Sequence, residues 1–129
     1  MTAELDALKG ALDRQREHIL GILEGLPEED LRRPMLPSGW SCLALLRHLT
    51  LDVELFWFPG VIAGEPDMAG QLTAGKEAHW YVPVGMSVEE VFADYRAAIA
   101  RADDVLAAVS PEQEPAAWPV GIWPTWAAA

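Results

Sequence analysis

Hydrophobic spacing along the chain predicts helices. From Glu4 to Glu24 the residues Leu5, Leu8, Leu12, Ile19, Ile22 and Leu23, with Leu26 just beyond, recur at intervals of three, four and seven, and no proline interrupts them. This is the pattern of an amphipathic first helix, which Gly25 can end. Pro27 then starts a short acidic turn, Pro-Glu-Glu-Asp-Leu, whose carboxylates suit a helix N-terminus. A turn-rich connection from Arg32 to Gly39 leads to Ser41, a natural N-cap for a second helix running from Cys42 to about Phe58, where Pro59-Gly60 should stop it. Between Pro59 and Met86 the breakers Gly60, Gly64, Pro66, Gly70, Gly75, Pro83 and Gly85 are too many for a long helix. The segment reads as a long crossover, which allows the second and third helices to run parallel.

Ser87-Val-Glu-Glu90 has the form of a capping box, with Ser87 at the N-cap and Glu90 three residues on. The third helix continues from it to about Val109, with Val88, Val91, Phe92, Tyr95, Ile99, Ala102, Val105 and Leu106 on its inner face. No stretch alternates at period two for long enough to read as a strand. After Pro111 the chain has no helical period. Three amphipathic helices leave an apolar groove, which the tail residues Trp118, Trp123 and Trp126 are suited to plug.

Length and charge narrow the function classes. A chain of 129 residues reads as one domain, 1–129, large enough for a core without disulfides, and its single cysteine, Cys42, rules out an internal one. Twenty acidic against nine basic residues give a net charge of −11, which repels a nucleic-acid backbone and an anionic membrane surface alike. No stretch reaches the roughly 20 apolar residues that span a bilayer. With no signal-peptide pattern at the N-terminus, the cytoplasm is the expected location.

Candidate chemistry centres on His48, one imidazole among leucines in the second helix. Taken alone it reads either as a hydrogen-bonded core residue or as a metal ligand. Asp52, one turn later on the same face, is a candidate second ligand, or a carboxylate that sets the imidazole tautomer. Glu54 falls on another face, and Glu17 beside His18 can join only if that side of the first helix packs inward. His18 reads as a half-exposed helix residue and His79 as an exposed or hydrogen-bonded crossover residue, with a makeshift triad of His18, His48 and His79 as the alternative. Cys42, in the first turn of a helix, reads as a small packed residue or as an activated thiol. Phe56-Trp57-Phe58 reads as packing or as a pocket mouth. The acidic pairs Glu28-Glu29, Glu89-Glu90 and Asp103-Asp104 diverge on a helix, which suits a solvated surface better than acid–base catalysis. No serine has the neighbours of a hydrolase triad.

Five stretches together resemble a known family: Leu36-Pro-Ser-Gly-Trp-Ser41, Leu45-Leu-Arg-His-Leu49, Val53-Glu-Leu-Phe-Trp57, His79-Trp80-Tyr-Val-Pro83, and Ser87-Val-Glu-Glu-Val91 through Tyr95-Arg96. Over about residues 4–125 the chain resembles the DinB/YfiT-like superfamily, in particular its branch of mycothiol-dependent transferases and isomerases. The resemblance implies an all-α four-helix bundle with a long crossover after the second helix. It also implies a divalent metal, zinc or nickel, on three histidines, one on the second helix and two spaced His-x-x-x-His on the fourth.

His48 matches the first of these ligands, and no other histidine of the chain matches the remaining two. The expectation is therefore a DinB-like domain reduced to about three long helices plus an irregular tail rich in tryptophan and proline, its metal site incomplete and its catalysis weak or silent. The alternative is a metal-dependent S-transferase or isomerase using a low-molecular-weight thiol such as mycothiol against an electrophile. A bundle lacking one helix would expose an apolar groove, and a homodimer is the expected way to cover it.

Overall fold

The computed structural model describes residues 2–119 other than 36, 38 and 76. Among them the regular structure is helical. Helix α1 spans Ala3–Glu24, α2 Glu28–Arg32, α3 Cys42–His48, α4 Met68–Ala74 and α5 Val88–Ala107, with one 3₁₀ turn at Ala78–Trp80. None is long and apolar enough to cross a membrane. Of the predicted plugs, Trp123 and Trp126 lie outside the described residues.

The caps form where their side chains direct. Thr2 Oγ1 accepts from Leu5 N–H, Ser41 Oγ from Ala44 N–H and Ser87 Oγ from Glu90 N–H, each satisfying a donor that the first helical turn leaves unpaired. The loop before α3 closes on itself, because Met35 N–H donates to the Trp40 carbonyl and Pro34 pairs with Ser41.

The second long helix departs from expectation. Beyond His48 it does not stop at Pro59-Gly60 but widens into a π-helix, Leu49–Ile62, that carries Pro59 inside it. In π winding each amide reaches back five residues, as Ala63 N–H does to the Phe58 carbonyl. Gly60 allows the close approach of α4: a Cβ there would stand 3.1 Å from the Leu55 carbonyl oxygen and 3.6 Å from Ala69 Cα. The π segment packs against α5, α4 and α3, so it is the central element of the described fold.

The core joins Leu23 of α1, Leu31 of α2, Leu43 and Leu46 of α3, and Val91, Phe92 and Tyr95 of α5, with Cys42 packed partly buried at its edge. Helix α1 is rotated from the predicted stripe: Leu8 and Ile22 are exposed, while Arg16 is buried. The reason is electrostatic. Glu54 is buried on the π segment, and α1 turns Arg16 toward it.

The tail after α5 is tied down by its backbone. Ala116 N–H donates to the Ile62 carbonyl and Ala117 N–H to that of Val61, satisfying acceptors at the end of the π segment. Trp118 comes within 6.2 Å of Trp57, ring centre to ring centre. These two rings and Leu5, Val61 and Leu106 wall an apolar cavity of about 430 Å³.

Candidate functional site

His48 is the last residue of α3 and Asp52 lies one widened turn beyond it, so both side chains leave the helix on one side. The crossover then returns to the same place. Its 3₁₀ turn brings His79 against Asp52 from the opposite direction, and each carboxylate oxygen takes one imidazole. Asp52 Oδ2 lies 2.9 Å from His48 Nδ1, and Oδ1 lies 2.7 Å from His79 Nδ1. A carboxylate only accepts, so both Nδ1 atoms carry the hydrogen, and in the neutral form of each ring it is Nε2 that holds the lone pair.

Two aromatic rings complete the cluster. Trp80 stacks on His48 at 3.8 Å with 16° between the planes, and on Trp40 at 3.6 Å with 17°. Trp40 and Trp80 also wall a cleft of about 250 Å³ together with Arg32, Ser41 and Tyr81. The turn that delivers His79 and Trp80 is held by Arg47, whose Nη1 donates to the carbonyls of Ala78 at 3.1 Å and Tyr81 at 3.0 Å.

The two imidazoles differ in access. The His79 side chain is 10% exposed, with its Nε2 edge beside Gly75, where a Cβ would stand 3.1 Å away. His48 is 22% exposed, and no hydrogen bond among the described residues engages its Nε2. His48 is therefore the more accessible of the two imidazoles, and His79 the more buried.

The remaining candidates stand elsewhere. His18 and Glu17 are exposed on α1, so the three histidines do not form a triad. Glu54 is buried in an ion pair with Arg16: Arg16 Nε donates to Oε2 at 2.9 Å and Nη2 donates to Oε1. Burial works against the Arg16 cation, but the hydrogen bonds and charge of Glu54 outweigh it and hold the guanidinium above its ordinary value. Asp103 departs from the solvated-surface expectation: it accepts from Arg16 Nη1 at 2.7 Å and pairs with Lys9 at 3.2 Å. Asp13 joins on the other side, its carboxyl pulled below the usual range chiefly by the Lys9 ammonium.

Phe56 is buried with Trp57 edge-on to it at 4.9 Å, and Phe58 lies under the Arg16 guanidinium. This aromatic run serves packing, with Trp57 also lining the cavity near Trp118.

A divalent ion activating a thiol takes about three protein donors and keeps one open position. Among the described residues no three of His, Cys, Asp and Glu stand together in a set that could hold one. His48 and His79 both direct Nδ1 to Asp52 and so occupy its oxygens as acceptors.

Sequence reasoning reached His48 and Asp52 and missed the partnership of His79 with Asp52. Proximity across 27 residues leaves no periodic trace. The signal available was the pair His79-Trp80, an imidazole and an indole side by side in a segment otherwise rich in breakers.

The family model for mycothiol-S-transferase matches residues 7–129. No curated protein and no solved structure shows a significant match to the chain.

Proposed function

The chain belongs to the mycothiol-S-transferase family, which is DinB/YfiT-like, and from that premise we propose that it acts in transferring a low-molecular-weight thiol such as mycothiol to a small electrophile, with His48 as the imidazole that meets the thiol. The observation that supports this reading is the contact of His48 Nδ1 with Asp52 on a partly exposed ring, which in the neutral form leaves Nε2 as the nitrogen able to take a proton.

A thiol is a poor nucleophile until its proton is removed. His48 Nε2 takes that proton, and the freed sulfur pair forms the S–C bond. The leaving group departs with its bonding electrons, and the proton on Nε2 passes to it or, for a weakly basic group such as chloride, to water, restoring the neutral ring. Through these steps Asp52 stabilises the imidazolium by the charge-assisted bond to Nδ1. Trp80, stacked on the ring, limits its rotation and keeps Nε2 aimed in one direction.

A second reading is a relative with an incomplete three-histidine site and weak or silent catalysis. It draws support from the position of His18, which stands exposed on α1 rather than beside the other two imidazoles.

One assay separates the two. Purified chain is incubated with mycothiol and a fluorogenic chloro electrophile, with and without added zinc or nickel, and conjugate is quantified against the uncatalysed rate. The first reading expects conjugate above background and a loss of roughly 100-fold or more in His48→Ala, the usual scale for removing a base. Conjugation at the uncatalysed rate under every condition, from a chain whose circular dichroism remains helical, would establish the second.

A further inference from the structure

The crossover carries a device that the reading of His48 alone does not use. We infer that His79 is a positioning residue: it holds the Asp52 carboxylate so that His48 keeps the Nδ1–H tautomer. The inference rests on the proposed role of His48, and it assigns the geometry of the site to the crossover as much as to the helix that carries His48 and Asp52.

A carboxylate four residues from its partner on a helix surface is weakly held, since such a pair contributes only about 0.2–0.5 kcal/mol and the side chain has several staggered rotamers. Asp52 is not left in that condition. The short bond from His79 Nδ1 fixes Oδ1 and thereby directs Oδ2 at His48 Nδ1. His79 can do this because it is buried and its backbone is clamped, Arg47 bonding the carbonyls of Ala78 before it and Tyr81 two residues after it. Arg47 is the residue immediately before His48, so one turn of α3 both presents the imidazole and anchors the segment that orients it.

The same turn sets the plane of the ring. Trp80 follows His79 directly and lies against His48. Tautomer and orientation of His48 are therefore both imposed from Ala78–Trp80. Within this arrangement the His79 hydrogen bond goes to the carboxylate, and its effect reaches the reacting atoms through Asp52 and then His48.

The test uses the full chain with ¹⁵N-labelled histidine, because the nitrogen shifts of each ring report its tautomer. In the wild type, His48 and His79 should both show the Nδ1–H form, with exposed His18 as the internal reference for an unconstrained ring. His79→Leu, which keeps the buried volume apolar, should move the His48 signals toward those of His18 and reduce kcat for thiol conjugation by roughly 10- to 100-fold at unchanged KM for the thiol. His79→Asn, whose amide N–H can replace Nδ1–H, should restore both. Arg47→Ala, which loosens the turn but leaves the ring in place, should shift His48 in the same direction by a smaller amount.

If His48 stays in the Nδ1–H form in His79→Leu, the inference is overturned whatever the conjugation assay shows. If the wild-type chain conjugates no thiol while His79→Leu still releases the His48 ring, the role of His79 is supported and it is the proposed function that falls.

Discussion

Arg16 on α1 and Glu54 on the π segment, 38 residues apart in sequence, meet as a two-pronged ion pair with 3% and 2% of their surfaces exposed. Glu54 is tolerable in the interior because Arg16 is there, whereas Arg16 also meets Asp13 and Asp103. Arg16→Met alone should cost about 3–5 kcal/mol by stranding the buried carboxylate, Glu54→Leu alone should cost less, and the double variant should recover most of the Arg16→Met loss. Chemical denaturation of the four proteins measures the coupling. Additive losses would show that the pair does not act as a unit.

At the candidate site Asp52→Asn is the sharper probe than removal of His48. One carboxamide oxygen cannot replace two carboxylate oxygens each accepting from a ring Nδ1–H, and the amide N–H₂ would face an Nδ1–H. Conjugation should fall roughly 10- to 100-fold with little change in stability, measured by steady-state rates beside thermal melting. Equal rates in wild type and variant would remove Asp52 from the mechanism.

Tyr95 is buried, and burial together with the nearby Glu54 charge pushes its phenol up to about 12 from its ordinary value of 10.0. Between those values the unfolded chain has lost the proton that the folded chain still holds. Stability contributed by this group is therefore full below pH 10 and declines as pH rises toward 12, by at most about 1.4 kcal/mol per unit. Denaturation across that window should show the decline, and Tyr95→Phe should flatten it.

Gly64 has φ +65°, and a Cβ there would lie 2.7 Å from Ala116 Cβ. Gly64→Ala therefore meets both a left-handed backbone and a clash with the tail. A loss of about 1–3 kcal/mol is expected from the strained conformation alone. Faster proteolysis near residues 110–118 should accompany it, because the bonds from Ala116 and Ala117 to the π segment would be displaced. Unchanged melting and cleavage would show that the tail contact contributes nothing to stability.

Reading the chain for period and caps located α1, the start of α3 and α5 to within a few residues, because Ser41 and Ser87 act on their own first turns and Gly25 on its own last one. The same reading ended the second helix at Pro59, where local propensity says it should end. Packing prevailed instead: the π winding brings Gly60 against α4, with Val61 buried beside it. The predicted stripe on α1 failed at Leu8 and Ile22 for a related reason, since the orientation of that helix answers to Glu54 on another element as well as to its own Leu5 and Leu23.

The candidate site divides along the same line. Sequence alone determined that the chain is helical and which family it resembles, and it placed His48 and Asp52 on one helical face, because those properties depend on residues within a turn or two of each other. The tertiary structure decided which imidazole would share the Asp52 carboxylate, which indole would cover the ring, and that Arg16 would be drawn inward to Glu54. Such pairings join residues 27 to 38 positions apart. They are selected by the mutual compensation of buried charges and hydrogen bonds, which leaves no periodic signal in the order of the amino acids.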